Sequence, residues 1–132
     1  MAERLFTVEE ANQALVTIRP LAEEMVRRRR AILAALEQRA EIARTAAGNG
    51  AGLDPRKVGA LDELAGRERD ALARCVSKIQ EAGVQVKDLD TGLVDFPALR
   101  GGQEILLCWR VGEPEVAWWH TAEAGFSGRR PI

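Results

Sequence analysis

From Thr7 to Ala82 apolar residues recur at three- and four-residue steps, and from Val84 onward the period falls to two. That switch constrains the fold more than any other feature, because a 3.6-residue repeat buries one stripe of a helix and a two-residue repeat buries one face of a strand. The chain must build a helical part first and a sheet second. In the helical part, Ala11, Leu15, Ile18, Ala22, Met25, Ile32, Leu36 and Ala43 form one stripe, interrupted at Arg29. Thr7-Val8-Glu9-Glu10 has the form of a capping box, with the Thr7 hydroxyl accepting from the Glu10 amide and the Glu10 carboxylate from the Thr7 amide. A first helix is predicted over 7–46, kinked or divided near Pro20, which has no N–H to offer the Val16 carbonyl.

The small residues of Ala47-Gly48-Asn49-Gly50-Ala51-Gly52 read as a loop tip. Asp54-Pro55 then supplies an N-cap and a proline at the first helical position, where a missing N–H costs nothing. The second helix, 54–82, carries Val58, Leu61, Ala65, Leu72, Cys75, Ile79 and Ala82 on its stripe, with Leu64, Ala71 and Val76 widening it, and Gly83 ends it in the left-handed conformation. Two long helices joined by a short loop lie antiparallel. The first is longer than a compact domain of 132 residues requires, so part of its stripe is expected to need a partner chain, in a coiled-coil-like homodimer, a larger bundle or a complex with another protein.

Three strands are predicted in the C-terminal part, over Gly92 to Arg100, Gln103 to Val111 and Glu115 to His120. Gly101-Gly102 is a type I′ turn signal, and Gly112-Glu113-Pro114 links the second strand to the third. The expected fold class is therefore α+β in a single domain over 1–132: a long antiparallel helical hairpin followed by a three-stranded antiparallel β-meander and tail over 84–132. Phe126 is expected to tuck the tail against the sheet.

Charge narrows the choice of partner. Lys and Arg number 19 and Asp and Glu 20, so the chain has no global field to collect nucleic acid or an anionic membrane. Arg27 to Arg30 wrap around the helix and cannot all face one partner; with Glu23, Glu24 and Glu37 nearby they read as a solvated, salt-bridged segment rather than an RNA site. Met1 to Phe6 has no apolar signal region, and the longest apolar run, Ile105 to Trp109, is far too short to span a bilayer. Two cysteines, Cys75 and Cys108, are too few for a disulfide framework; both are expected to be free thiols in a cytoplasmic protein.

The candidate chemistry lies on the sheet. If Gly101-Gly102 is a two-residue turn, Asp95 falls opposite Cys108, and a three-residue loop over Glu113 to Glu115 would place Cys108 opposite His120, the chain's only histidine. Carboxylate, thiol and imidazole would then form one row, able to hold zinc or iron with an open position or to act as a Cys-His pair oriented by Asp. A four-residue loop would set His120 opposite Leu107 and dissolve the row. Asp88 and Asp90, in the preceding turn, are further candidate ligands. The ordinary reading of Cys108 between Leu107 and Trp109 is a small core hydrophobe, and of a strand-end His120 a hydrogen-bonded structural residue. Trp109, Trp118 and Trp119 read as core and interface anchors, since no basic residues are interleaved among them.

Three segments carry a family resemblance: Leu5 to Asn12, Val86 to Pro97, and Leu107-Cys108-Trp109 through Gly112-Glu113 and Trp119-His120 to Gly125-Phe126-Ser127-Gly128-Arg129. Together they resemble the prokaryotic family filed as domain of unknown function 2203, and the C-terminal run is the specific part. The resemblance implies a bacterial or archaeal cytoplasmic protein, and it puts Asp88, Asp90, Asp95, Cys108, Trp109, Glu113, His120, Phe126 and Arg129 on the family's motif positions without giving any of them a role. The functional expectation is a non-enzymatic module that associates with itself or with a protein partner, and the alternative is a metal or thiol site at Asp95, Cys108 and His120.

Overall fold

The Thr7 capping box forms as drawn: the Thr7 Oγ1 accepts from the Glu10 amide at 3.0 Å and the Glu10 carboxylate accepts from the Thr7 amide at 2.9 Å. From it runs helix α1, Val8–Asn49, in a computed structural model that describes residues 4–50 and 52–132. The readings placed on Met1 to Glu3 and on Ala51 lie outside the described residues. α1 passes through Pro20 as one undivided helix and continues over Ala47 to Asn49, ending at Gly50 in the left-handed conformation. The expected loop tip is shorter as a result. Helix α2, Pro55–Glu81, opens on Asp54, whose carboxylate accepts from the Arg56 amide at 3.0 Å, and Gly83 leaves it at φ +87°.

The two helices are antiparallel, since Arg28 pairs with Glu68 while Arg39, further along α1, pairs with Asp62, earlier in α2. Within the arginine run, Arg28 also pairs with Glu24 and Arg29 with Asp90, as a salt-bridged segment would. The near half of the hairpin joins the core against the sheet, burying Ala11, Leu15, Ile18, Ala22 and Met25 of α1 and Cys75 and Ile79 of α2, and beyond it Ile32 and Ala35 of α1 and Ala65 of α2 are also buried. Further out Leu33, Leu36 and Ala43 are exposed, so the stripe is longer than the sheet that covers it. No helix among the described residues is long and apolar enough to cross a membrane.

The fold class is the expected one, α+β with a helical hairpin and C-terminal antiparallel strands, and the meander has five strands rather than three. They are β1 (Gln85–Asp88), β2 (Leu93–Arg100), β3 (Gln103–Trp109), β4 (Trp118–His120) and β5 (Arg130–Pro131), each paired antiparallel with its neighbours in sequence. The two added strands are short edges of four and two residues, below the length at which alternation becomes legible. Val94, Phe96, Ala98, Ile105, Leu107, Trp109 and Trp119 face the helices. Pro97 is tolerated inside β2 because β1 ends opposite Asp95, and beyond it the Pro97 carbonyl accepts from the Phe6 amide at 2.7 Å.

Register is where the structure corrects the sequence reading. Gly101-Gly102 forms the two-residue turn with both φ values positive, Arg100 pairs with Gln103, and Asp95 lies opposite Cys108 as predicted. The next connection is not three or four residues but the eight from Arg110 to Ala117, so His120 lies opposite Leu106 and Cys108 opposite Trp118. The loop is long because it is tied down on two sides. Trp109 Nε1 donates to the Glu113 carbonyl at 3.0 Å and the Arg110 amide to the Glu113 carboxylate at 2.9 Å. From α1, Arg19 donates to the Glu113 and Pro114 carbonyls at 3.0 and 2.8 Å, and Asn12 accepts from the Val116 amide at 2.8 Å. The net slip from the three-residue register is two residues, and a slip of two leaves every side chain on its original face.

Candidate metal centre

Asp95, Cys108 and His120 all project from the outer face of the sheet, opposite the face that packs on the helices. Their straight row is replaced by a triangle, with His120 diagonal to Cys108 rather than beside it. A diagonal neighbour is still within side-chain reach, and one ligand atom from each residue lies within 4.8 Å of the others. All three are buried, at 1%, 0% and 3% of full exposure, and Asp95 and His120 are the buried polar side chains of the described residues.

Hydrogen bonding orients the imidazole. His120 Nδ1 lies 2.7 Å from the Thr121 carbonyl, and because a carbonyl can only accept, Nδ1 carries the proton. Nε2 then points its other side at Asp95 Oδ1, 3.1 Å away. This nitrogen and this oxygen are one another's hydrogen-bond partners. A ring N–H donated to a backbone carbonyl, leaving the second nitrogen free to coordinate, is the usual outer arrangement of a metal-ligating histidine.

Cys108 is not set up as a free nucleophile. Burial, and next the Asp95 carboxylate, push its thiol up to about 12, so at neutral pH it holds its proton unless a cation replaces it. Cys75, buried between the helices beside Glu24, is likewise pushed up, to about 11, first by burial. Both cysteines are free thiols.

The tail closes the centre from outside. β5 pairs with β4, and the turn Phe126–Gly128 before it delivers Arg129 over Cys108. Arg129 donates to Glu113 at 2.5 Å and to the Cys108 carbonyl at 3.4 Å, and its guanidinium lies between the rings of Trp118 and Phe126, 5.1 and 4.7 Å from their centroids. Burial raises the Glu113 carboxyl, but hydrogen bonds from Arg129 and the Arg110 backbone outweigh it and hold the group below its ordinary value. Glu113 and Arg129 thus form a latch between the long loop and the tail.

The remaining candidates stand elsewhere. Asp88 caps the β1–β2 turn, accepting from the Thr91 amide at 2.9 Å and hydroxyl at 2.6 Å, bonds that lower its carboxyl. Asp90 is exposed and pairs with Arg29 at 3.1 Å. Neither joins the cluster. Trp109 is fully buried on the opposite face, with Arg19 over its ring at 5.2 Å. Sequence reasoning missed Thr121, whose contribution is a backbone carbonyl and therefore has no residue-type signal.

The family model described as an uncharacterized conserved protein (DUF2203) matches residues 4–132. The chain belongs to the DUF2203 family. No curated protein and no solved structure matches it. The match spans both the hairpin and the sheet of this DUF2203 chain, and so includes all three residues of the cluster.

Proposed function

We propose that this DUF2203 chain binds one zinc ion through Asp95 Oδ1, Cys108 Sγ and His120 Nε2, with a fourth position open. The observation that carries the reading is the convergence of one carboxylate, one thiol and one imidazole on a single buried point, with the imidazole already fixed by the Thr121 carbonyl. Tetrahedral zinc, with ligand bonds of about 2.0 to 2.3 Å, sets its ligand atoms roughly 3.3 to 3.6 Å apart. The His120–Asp95 separation of 3.1 Å is already close to that, and no pair exceeds it by more than about 1.3 Å. A sulfur, nitrogen and oxygen donor set suits zinc, whereas the common non-haem iron set takes two imidazoles and a carboxylate. Three protein ligands with one position left is the arrangement of zinc sites that exchange a ligand, not of closed structural ones.

Metal analysis of protein purified without a His-tag tests this directly. One zinc per chain is expected in the wild type, falling to less than a tenth in Cys108→Ser, whose near-isosteric side chain keeps the fold, and in His120→Ala. Absence of metal from wild-type protein after zinc loading and desalting would sink the reading.

A second reading is favoured by a separate observation: Leu33 and Leu36, one turn apart on the far half of α1, are 44% and 41% exposed. Self-association of the hairpin through this stretch would cover them, as the length of the stripe suggests. Sedimentation at micromolar concentration is expected to give a dimer that Leu33→Glu with Leu36→Glu weakens at least tenfold. A wild-type chain that stays monomeric at that concentration would remove this reading and leave the zinc reading untouched.

A further inference from the structure

We propose that the open position of the zinc centre receives a small organic acid, an anionic oxygen donor carried on a compact apolar body, through a groove on the outer sheet face; the inference rests on the zinc reading. The groove is a cavity of about 310 Å³ with Asp95 and His120 in its lining. Cys108 is not part of that lining, because Arg129 and the tail lie over it. A metal held by all three residues would thus have protein on the Cys108 side and the cavity on the other. The vacant position faces the cavity for that reason.

Size and lining then define the ligand. About 310 Å³ is near the lower end of small-molecule sites, room for a head group and roughly one ring or short chain. Leu93 and Leu106 supply apolar floor from β2 and β3, and Phe126 supplies wall from the tail. Charge selects the head. Zinc with one thiolate and one carboxylate is neutral overall, so an anionic donor adds one uncompensated negative charge, and Lys87 in the lining is placed to offset it. Glu104 lines the cavity further along β3 from Cys108 than Leu106, where it disfavours a second anionic group at the far end of the ligand. The occupant is therefore a monoacid with an apolar body, not a diacid or a phosphate ester.

Cobalt(II) loaded in place of zinc makes the centre visible, since its absorption bands respond to any change in the fourth ligand. Benzohydroxamate is expected to shift those bands saturably and to bind at least tenfold more tightly than acetohydroxamate, because the ring fills the apolar part of the groove. Lys87→Glu is expected to weaken both probes about fivefold. Phe126→Ala is expected to erase most of the preference for the ring, read as the ratio of the two affinities in cobalt-loaded protein, and Lys87→Glu to leave cobalt content unchanged. Stoichiometric cobalt whose spectrum ignores both probes, or equal affinity for the two, would overturn the groove while leaving the metal reading intact. Failure to bind cobalt or zinc at all would overturn both.

Discussion

Zinc returned to chelator-treated protein is expected to raise the thermal midpoint by on the order of 10 °C. The three proposed ligands sit on three different strands and meet only when β2, β3 and β4 have paired, so the unfolded chain offers no comparable site. A ligand that binds the folded state alone stabilises it by about 4 kcal/mol when its free concentration is a thousandfold above Kd. For a domain of this size each kcal/mol moves the midpoint by roughly 3 °C. The protein should nevertheless fold without metal, unlike a zinc finger, because in the metal-free state the His120 and Asp95 side chains satisfy one another and the Cys108 thiol is neutral. Calorimetry with and without zinc, on wild type and on Cys108→Ser, checks the expectation. An equal midpoint in all four samples would defeat it.

Trp109→Ala is expected to cost about 4 kcal/mol in a denaturant titration, and to reduce zinc affinity although Trp109 is on the opposite face of the sheet from the ligands. Two separable losses contribute. The indole is fully buried among Val94, Leu107 and the α1 stripe, and its removal leaves a cavity that the surrounding strands cannot fill. Its N–H also holds the Glu113 carbonyl at 3.0 Å, which shapes the loop that sets the β3–β4 register and with it the position of His120. Trp109→Phe separates the two: most of the packing stays, the N–H is lost, and a cost near 1 kcal/mol with a several-fold drop in zinc affinity is expected. If Trp109→Phe binds zinc as wild type does, the loop-shaping role is wrong and only core packing remains.

The hairpin was legible because its signals are local. Thr7 and Glu10 cap within four residues, Asp54-Pro55 opens α2 within two, and the stripe repeats often enough to outweigh Pro20. The outward-facing part of the site was legible for a related reason: Gly101-Gly102 permits one tight turn, and that turn fixed Asp95 opposite Cys108. Where the sequence reading went astray, at the loop before β4, the deciding contacts come from Arg19 and Asn12 on a helix some hundred residues earlier. Hairpin arithmetic has no access to such contacts. His120 remained in the cluster because the observed register lies two residues from the three-residue-loop alternative; from the four-residue one, which would have turned it to the other face, it differs by one.

By itself, then, the sequence determined the order of helix and strand, the placing of Asp95 opposite Cys108, and a charge balance that provides no global attraction for nucleic acid, consequences of periodicity, one tight turn and composition. Only the tertiary structure decided that His120 stands on the same face as Asp95 and Cys108, that the three side chains form a closed triangle, that the Thr121 carbonyl turns the imidazole toward Asp95, and that Glu113 and Arg129 draw the tail across Cys108. Those facts depend on a loop anchored to a distant helix and on backbone carbonyls common to every residue type, so they exist only once the whole chain has packed.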